Sequence, residues 1–203
     1  MNNTIQRMFD KEEIIRQVAQ VLKETRTAQD TVRQGPGRDR RFTLLARYMI
    51  EKAIRHNALL TDDTGTGIAL MFRMNAGRNH FFRDVWEDIK LAFCVIGLTN
   101  VPKIIRVRKH IRSRQPKSEP FFYMWFWGVI PGSRGAGKGV AVNMKDMFLR
   151  ISEDERLPIY AETRLRTNAM VYQRYKFIHY DTWNMPGGDT MWFVRYLPKS
   201  LGR

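Results

Sequence analysis

The chain has 203 residues, 43% of them hydrophobic and 12% aromatic, with a single cysteine. Such a chain can bury a core of its own, so the composition indicates one domain over residues 1–203 and excludes a wholly disordered protein. An internal disulfide is excluded, and no apolar run is long enough to cross a bilayer. Because the N-terminus also lacks the apolar stretch of a secretory signal, we expect a cytoplasmic protein with no membrane partner.

The formal net charge of +15 favours anionic partners, such as nucleic acid, an acidic membrane surface or a polyphosphate ligand. Basic residues are densest in one predicted helix: Lys103, Arg106, Arg108, Lys109, Arg112, Arg114 and Lys117. No nucleic-acid reader motif accompanies them. We therefore favour a solvated helix face over a nucleic-acid interface as the interpretation of these basic residues. An intermediate interpretation is that they attract an anionic ligand or substrate towards the site.

The N-terminal half predicts helices followed by a hairpin. Apolar residues at three- and four-residue spacing indicate one helix after Asp10 and another from Phe42 to about His56. Two strand patterns follow, at 58–61 and 67–74. The run from Asp62 to Gly65 between them is typical of a hairpin turn, and no further ligand pattern supports a metal pair there.

Residues 78–117 interrupt this pattern with two helical stripes on either side of a break at 97–102. The first stripe is aromatic, and the second is the basic helix. We therefore expect a helical insertion between the hairpin and the strands of the C-terminal half.

An uncharged apolar run followed by a glycine-rich turn dominates the C-terminal half, at 121–139. The run predicts a central strand with alternating faces, which places Tyr123, Trp125 and Trp127 on one side. A helical pattern begins directly after the glycines. Backbone N–H groups at such a strand–turn–helix junction can hold phosphate groups, and glycines let the phosphates come close.

Two common phosphate loops fit this stretch poorly. The span from Gly132 to Lys138 has the spacing of a P-loop, but Gly139 stands where a magnesium-binding Ser or Thr belongs, and too little chain follows for that fold. Gly135, Gly137 and Gly139 are spaced G-x-G-x-G, which is not the G-x-G-x-x-G of dinucleotide sites. A glycine turn without a ligand is the remaining alternative, and the density of glycines argues against it.

The elements after the loop predict the order β-α-β-α-β-β. Residues 157–163 have the pattern of a second buried strand, parallel to the first because a helix separates the two. Asn168 is expected to cap a short helix that carries Tyr172. Two alternating strands, 177–184 and 190–196, follow and are joined by a hairpin.

Motifs spread over residues 120–197 share their order and spacing with one family. The pattern V-x-P-x-x-[QR]-G-x-G-x-[GA] is met by Val129, Pro131, Arg134, Gly135, Gly137 and Gly139. Downstream, Glu162 ends a strand, and N-x-x-x-Y-x-x-x-G-F is met by Asn168, Tyr172 and Phe177, with Lys176 in place of the glycine. This segment resembles the coenzyme A-binding region of the Gcn5-related N-acetyltransferases, the GNAT family. Because Lys176 replaces that glycine, we expect the Tyr172 helix to end in a different shape.

The resemblance implies an α/β (α+β) fold: a mixed, mostly antiparallel central sheet with flanking helices. The fourth and fifth strands of the family sheet would form a parallel pair, and the helical insertion at about 78–117 would lie between strands 3 and 4. It also implies transfer of acetyl from acetyl-CoA to a primary amine by direct nucleophilic attack, without a metal. The acceptor would be a small molecule or a peptide, and the protein a monomer or homodimer. The alternative function is a non-catalytic CoA-binding or basic nucleic-acid-binding protein.

The resemblance further implies the roles of individual residues. The coenzyme pyrophosphate would lie on the backbone amides of Arg134, Gly135, Ala136, Gly137, Lys138 and Gly139. The pantetheine arm would pair with the backbone of Gly128, Val129 and Ile130, an N–H near Val129 would polarise the thioester carbonyl, and Asn168 completes the cofactor set.

For the proton transfers, the resemblance places the general acid at Tyr172. Glu162 is the candidate base, although a structural role for Glu162 is an open alternative. The other candidates for the base are His80, Glu119, His179 and Asp181. The insertion at 78–117 is expected to roof the acceptor pocket.

Overall fold

The computed structural model describes residues 10–76, 81–133 and 139–201. Within these residues, six strands form one sheet in the order β1-β2-β3-β4-β6-β5. The strands are β1 (Leu59–Thr61), β2 (Gly67–Met74), β3 (Phe121–Val129), β4 (Ile159–Thr163), β5 (Ile178–Asn184) and β6 (Thr190–Tyr196). Every neighbouring pair is antiparallel except β3 and β4, which are parallel. The predicted mixed, mostly antiparallel α/β sheet is confirmed.

The described helices are α1 (Lys11–Glu24), α2 (Arg26–Thr31), α3 (Arg38–Arg55), α4 (Phe81–Leu91), α5 (Val101–Ser113), α6 (Val140–Glu155) and α7 (Arg166–Arg174). A π-helical segment, Ala92–Ile96, extends α4. The first helix follows Asp10 as predicted, and Asp10 caps it: its carboxylate accepts the N–H of Glu12 at 2.9 Å. A search of the described helices finds none with the length and apolar character of a membrane span.

Two apolar layers cover the two faces of the sheet. Ile68, Leu70 and Phe72 of β2 pack with the buried sides of α1 and α3, which define the α1/α3 face. The intervening Ala69 and Met71 pack with α6 and α7, which define the α6/α7 face. The alternation along β2 therefore distributes its side chains between two separate parts of the core.

The helical insertion between β2 and β3 lies on the α1/α3 face. Val95 and Ile96, at the end of the π-helical segment, are buried, and the N–H of Arg33 donates to the C=O of Val95 at 2.9 Å. Further along, Val107 and Ile111 of α5 pack against the β5–β6 hairpin. The insertion thus extends from the N-terminal helices to the opposite edge of the sheet.

A β-bulge in β3 changes the faces of its side chains. The pairing of β2 with β3 shifts between Leu70 and Met71, which leaves Trp125 as the additional residue of β3. Trp125 and Phe126 consequently both pack on the α1/α3 face, and Trp127 packs on the α6/α7 face. The prediction that Trp125 and Trp127 share a face is wrong, because strict alternation stops at the bulge.

Helix α7 ends in a left-handed turn at Lys176, which has φ = +67°. The N–H of Phe177 donates to the C=O of Tyr172 and the N–H of Lys176 to the C=O of Gln173, both at 3.0 Å, as in a Schellman motif. The rings of Tyr172 and Phe177 lie 4.9 Å apart. The expected change of shape is therefore wrong: the hydrogen bonds and ring contact hold Lys176 in the conformation that favours glycine.

This conformation makes Lys176 a site for stabilisation. Lys176→Gly should raise the free energy of unfolding by about 0.5–1 kcal/mol, because glycine adopts positive φ without the steric cost of a Cβ. Denaturant unfolding followed by circular dichroism measures the change. The control is Gln173→Gly, inside the helix, which should lower stability by a similar amount. Equal destabilisation by both substitutions would contradict the assignment of strain to Lys176.

Candidate active site

The parallel strands β3 and β4 pair over only the first part of their length. Phe122 is opposite Ile159 and Tyr123 is opposite Tyr160, and no later residue of β3 pairs with β4. The strands therefore separate towards their C-terminal ends and open a space that we call the β3–β4 gap. Ligands commonly bind at the carboxyl ends of parallel strands.

The backbone of β3 beyond the bulge contributes to one side of this gap. The N–H of Ile130 donates to the C=O of Thr66 at 2.9 Å, and Gly128 is opposite Ile68 in the antiparallel pair with β2. Alternation of backbone direction then points Gly128 and Ile130 towards β2 and Val129 towards the gap. The part of these three residues in cofactor binding stays a prediction.

The glycine-rich loop connects this end of β3 to α6. The predicted cofactor residues Arg134, Gly135, Ala136, Gly137 and Lys138 lie outside the described residues, and nothing further is assigned to them. Gly139 is the N-cap of α6 in a left-handed conformation, φ = +60°. Helix α6 starts close to the sheet, because a Cβ added to Gly67 would come within 2.6 Å of Met144. Its positive N-terminal end therefore lies near the end of β3.

Glu162 lies in β4 beyond the last residue that pairs with β3. The hydroxyl of Tyr123 donates to its carboxylate at 2.6 Å, across the gap. Burial raises the pKa of Glu162 to about 7, and the hydrogen bond from Tyr123 offsets part of that increase. A carboxylate with this pKa can take up and release a proton near neutral pH, as a general base must. Burial also raises the pKa of Tyr123, which stays a phenol.

Tyr172 lies at the gap on the α6/α7 face. Its side chain is buried, and the indole Nε1–H of Trp127 donates to its hydroxyl oxygen at 2.8 Å. Burial raises the pKa of Tyr172, the hydrogen bond from Trp127 lowers it by less, and the carboxylate of Glu162 raises it further. Tyr172 is therefore protonated at neutral pH. Because the Trp127 indole donates to a lone pair of the Tyr172 oxygen, it does not use the phenolic proton, which remains available for donation.

The two hydrogen bonds cross the gap on opposite faces of the sheet. Tyr123 reaches Glu162 on the α1/α3 face, and Trp127 reaches Tyr172 on the α6/α7 face. Each bond links β3 either to β4 or to the helix that follows β4. A molecule lying in the gap would meet a titratable carboxyl group on one side and a phenol on the other.

No family model matches this sequence, and no curated protein matches it. Solved structures of several other proteins share its fold, and three of them are the following. The C-terminal condensation domain of Ebony, in complex with beta-alanyl-dopamine, matches with a TM-score of 0.59 and 12% identity, over 92% of this chain and 93% of that one. A Corynebacterium glutamicum structure, named histone acetyltransferase HPA2 and related acetyltransferase, matches with a TM-score of 0.56 and 16% identity, over 91% of each chain. Arylalkylamine N-acetyltransferase 2 from Aedes aegypti matches with a TM-score of 0.53 and 13% identity, over 89% of this chain and 86% of that one.

This chain has the GNAT fold. In the numbering of the GNAT sheet, β3 and β4 are the fourth and fifth strands, so the predicted parallel pair is the observed one. The insertion of α4 and α5 then lies between strands 3 and 4 of that sheet, as predicted. At these levels of identity the likeness is one of fold, and the roles of single residues depend on the geometry of this chain.

The other candidate bases lie away from the gap. His80 is outside the described residues. Glu119 precedes β3, at the end of that strand opposite to the gap. His179 and Asp181 belong to β5, which β6 separates from β4, and Asp181 forms an ion pair with Arg114 at 3.0 Å. Glu162 is therefore the best-placed of the described candidates.

Asn168 does not start α7. The helix begins at Arg166, and the N–H of Ala169 already donates to the C=O of Leu165 at 3.1 Å. The prediction that Asn168 caps the helix is wrong, because helical bonding starts earlier. Asn168 is exposed in the first turn, and its part in cofactor binding stays a prediction.

Asp62 stabilises the hairpin turn, in agreement with the prediction of a turn at this position. Its buried carboxylate accepts the N–H of Gly67 at 2.7 Å and the hydroxyl of Thr64 at 2.6 Å. Both of its oxygens are thus bonded within the turn that joins β1 to β2.

Tyr123 and Trp127 are site residues that sequence reasoning assigned only to a strand. Both are aromatic residues with a polar group, and such groups find a partner when they are buried. That signal was present in the sequence, but the partner of each lies at least 39 positions away. Only the fold identifies Glu162 and Tyr172 as those partners.

Sequence reasoning also missed an ion-pair network at the C-terminal end of β4. Arg164 forms ion pairs with Asp30 of α2, at 2.7 Å, and with Asp189 of the β5–β6 turn. Asp189 also binds Arg26 at 2.7 Å. The network connects α2, the β5–β6 turn and the residue that follows Thr163. These three segments are therefore held together at the C-terminal end of β4.

The raised pKa of Glu162 predicts a pH-dependent cost in stability. Between the ordinary pKa of 4.5 and about 7 the folded protein holds a proton that the unfolded chain releases, so stability falls as pH rises through this range. Glu162→Gln keeps an acceptor for Tyr123 and never ionises. The free energy of unfolding of the variant should exceed that of the parent by about 1–3 kcal/mol at pH 8, and the two should be nearly equal below pH 4.5. Unfolding by denaturant at several pH values measures this difference. A constant difference across the pH range would contradict the raised pKa.

Proposed function

We propose that the protein is an acyl-CoA-dependent N-acetyltransferase, which transfers acetyl from acetyl-CoA to a primary amine by direct nucleophilic attack. The observation that carries this proposal is the placement of Glu162 and Tyr172 at the β3–β4 gap of a GNAT fold. One of these groups titrates near neutral pH, and the other stays protonated there. Acyl transfer to an amine needs one group of each kind.

Acetyl-CoA would enter the gap from the side of the glycine-rich loop. Its pyrophosphate would lie at Gly139 and the preceding loop, where the N-terminus of α6 favours an anion. The pantetheine arm would follow β3 past Val129 into the gap. This path places the thioester between Trp127 and the end of β4.

The chemical step forms a C–N bond and breaks a C–S bond. The neutral amine attacks the thioester carbonyl carbon, and Glu162 takes the proton that the nitrogen loses. As the tetrahedral intermediate collapses, coenzyme A leaves as a thiolate and receives the phenolic proton of Tyr172. Trp127 holds the Tyr172 oxygen, and Tyr123 holds the Glu162 carboxylate, so both groups are oriented before the substrates bind.

The acceptor amine would approach Glu162 from the α1/α3 face, beneath α5. The guanidinium group of Arg112 lies 5.5 Å from the ring of Phe121, and the hydroxyl of Tyr180 donates to the C=O of Arg114 at 3.1 Å. These contacts place α5 across the face that Glu162 occupies. The insertion would therefore roof the acceptor pocket, with a small-molecule or peptide amine as acceptor. The arylalkylamine and histone acetyltransferase names of the structural neighbours support an amine in either form.

Release of the coenzyme A thiol in the presence of an amine panel tests the proposal. Tyr172→Phe removes only the proton donor and should lower kcat by about 10²-fold or more, with KM for acetyl-CoA nearly unchanged. The matched control is Tyr175→Phe in the same helix end, whose hydroxyl makes no hydrogen bond with any described residue. Equal loss in both variants would assign Tyr172 to packing alone.

The pH dependence of kcat/KM tests the base separately. Because the ionised form of Glu162 accepts the proton, kcat/KM should rise with pH through about 7 and level off above it. Glu162→Gln should lower the plateau and remove this dependence. If acetyl-CoA binds but no amine releases thiol, the protein is instead a CoA-binding protein without catalysis.

A further inference from the structure

The insertion of α4 and α5 exposes a concentration of large apolar side chains. Among the side chains that the structure describes, ten large hydrophobic residues are exposed, and five of them lie between positions 86 and 105: Trp86, Ile89, Phe93, Leu98 and Ile105. Four of these five are about 60% exposed. The other five exposed hydrophobic residues are spread over α6, α7, β5, the connection before α7 and the short 3-10 helix Lys199–Leu201.

The exposed apolar residues of α4 form one stripe. Trp86, Ile89 and Phe93 follow each other at three- and four-residue steps, which places them on the same side of a helix. The opposite side of α4 is anchored to the fold: Asp88 forms an ion pair with Lys52 at 3.3 Å, and Val95 is buried. The stripe is therefore held pointing away from the sheet.

Helix α5 also exposes one of its sides. Val107 and Ile111 pack against the β5–β6 hairpin, so the side that carries Ile105 and Lys109 faces outwards. Leu98 lies in the short connection between the two helices and is exposed too. We call the outward residues of this helical pair, from Trp86 to Lys109, the α4–α5 surface.

Basic side chains border the apolar residues of this surface. Lys90 lies 5.3 Å from the ring of Trp86, and Lys103, Arg106 and Lys109 are exposed on α5. These four side chains form no ion pair with any acidic residue that the structure describes. The surface thus combines exposed apolar groups with unneutralised positive charge.

In contrast to the sequence-based expectation of no membrane partner, we propose that the α4–α5 surface binds the anionic face of a lipid bilayer. Trp, Phe, Leu and Ile side chains can enter the boundary between headgroups and acyl chains, while Lys and Arg contact lipid phosphates and carboxylates. Such a partner contacts both the apolar and the basic residues of the surface. The +15 net charge adds long-range attraction to an anionic membrane.

Two other occupants use only part of this surface. A nucleic acid would neutralise the basic residues, but it would leave Ile89, Leu98 and Ile105 without an apolar partner. A second copy in a symmetric dimer would cover the apolar stripe, but it would bring two positive borders together and repel. These occupants are outcomes that the experiment separates.

The experiment measures partition of the full chain onto vesicles at low and high salt. Vesicles of phosphatidylcholine and phosphatidylserine in equal amounts should bind the protein, vesicles of phosphatidylcholine alone should bind it much more weakly, and salt should weaken binding. The triple variant Lys103→Gln, Arg106→Gln, Lys109→Gln should lose about 100-fold in partition, at about five-fold for each basic residue. The matched control Arg150→Gln, Arg174→Gln, Lys199→Gln removes the same charge elsewhere and should lose less than ten-fold.

Apolar contact is tested with Trp86→Ser, Phe93→Ser against Val142→Ser, Met170→Ser, which alters exposed apolar residues outside the insertion. The first pair should lose about ten-fold or more in partition, and the second should bind like the parent. Cys94, the only cysteine and an exposed residue beside Phe93, accepts an environment-sensitive fluorophore. Its emission should shift to the blue when anionic vesicles are added.

Three results would overturn the proposal. The first is binding of duplex DNA without binding of anionic vesicles. The second is a dimer that the Trp86→Ser, Phe93→Ser variant dissociates, in a protein that does not bind vesicles. The third is equal loss of vesicle binding in the control variants and in the α4–α5 variants.

Discussion

Hydrogen bonding between β3 and β4 stops after Tyr123 and Tyr160, and the site depends on that early end. Unpaired backbone in the middle of a sheet is costly, because each buried N–H or C=O group needs a partner. Side chains take over the link between the strands: Tyr123 bonds to Glu162, and Trp127 bonds to Tyr172. Two side-chain hydrogen bonds thus connect the two sides of the gap beyond the last backbone pair.

The bulge at Trp125 and the turn at Lys176 serve this arrangement. The bulge returns Trp127 to the α6/α7 face, where the indole meets Tyr172. The left-handed residue of the turn, Lys176, lies four residues after Tyr172, and the turn packs the ring of Phe177 edge-on against the ring of Tyr172. Half-buried Glu162 lowers the stability of the fold when it is ionised, because its pKa is raised in the folded protein.

The sequence predicted the local features well. The strand at Tyr123, the glycine turn and the helical insertion are local patterns of apolar period and turn residues, and the structure has the strand and the insertion in those positions. The bulge at Trp125 was missed because it depends on the pairing of two strands. The turn at Lys176 was missed because a lysine gives no local signal for positive φ. Glu162 and Tyr172 were identified by motif, but their partners in β3 needed the fold.

The structure of a complex with coenzyme A tests the central claim most directly. If the β3–β4 gap is the cofactor site, the pantetheine arm will lie along β3 near Val129, and the sulfur will be within hydrogen-bond reach of the Tyr172 hydroxyl. The carboxylate of Glu162 will lie on the other side of the thioester position. A coenzyme bound elsewhere, with the gap closed or filled by side chains, would contradict the account.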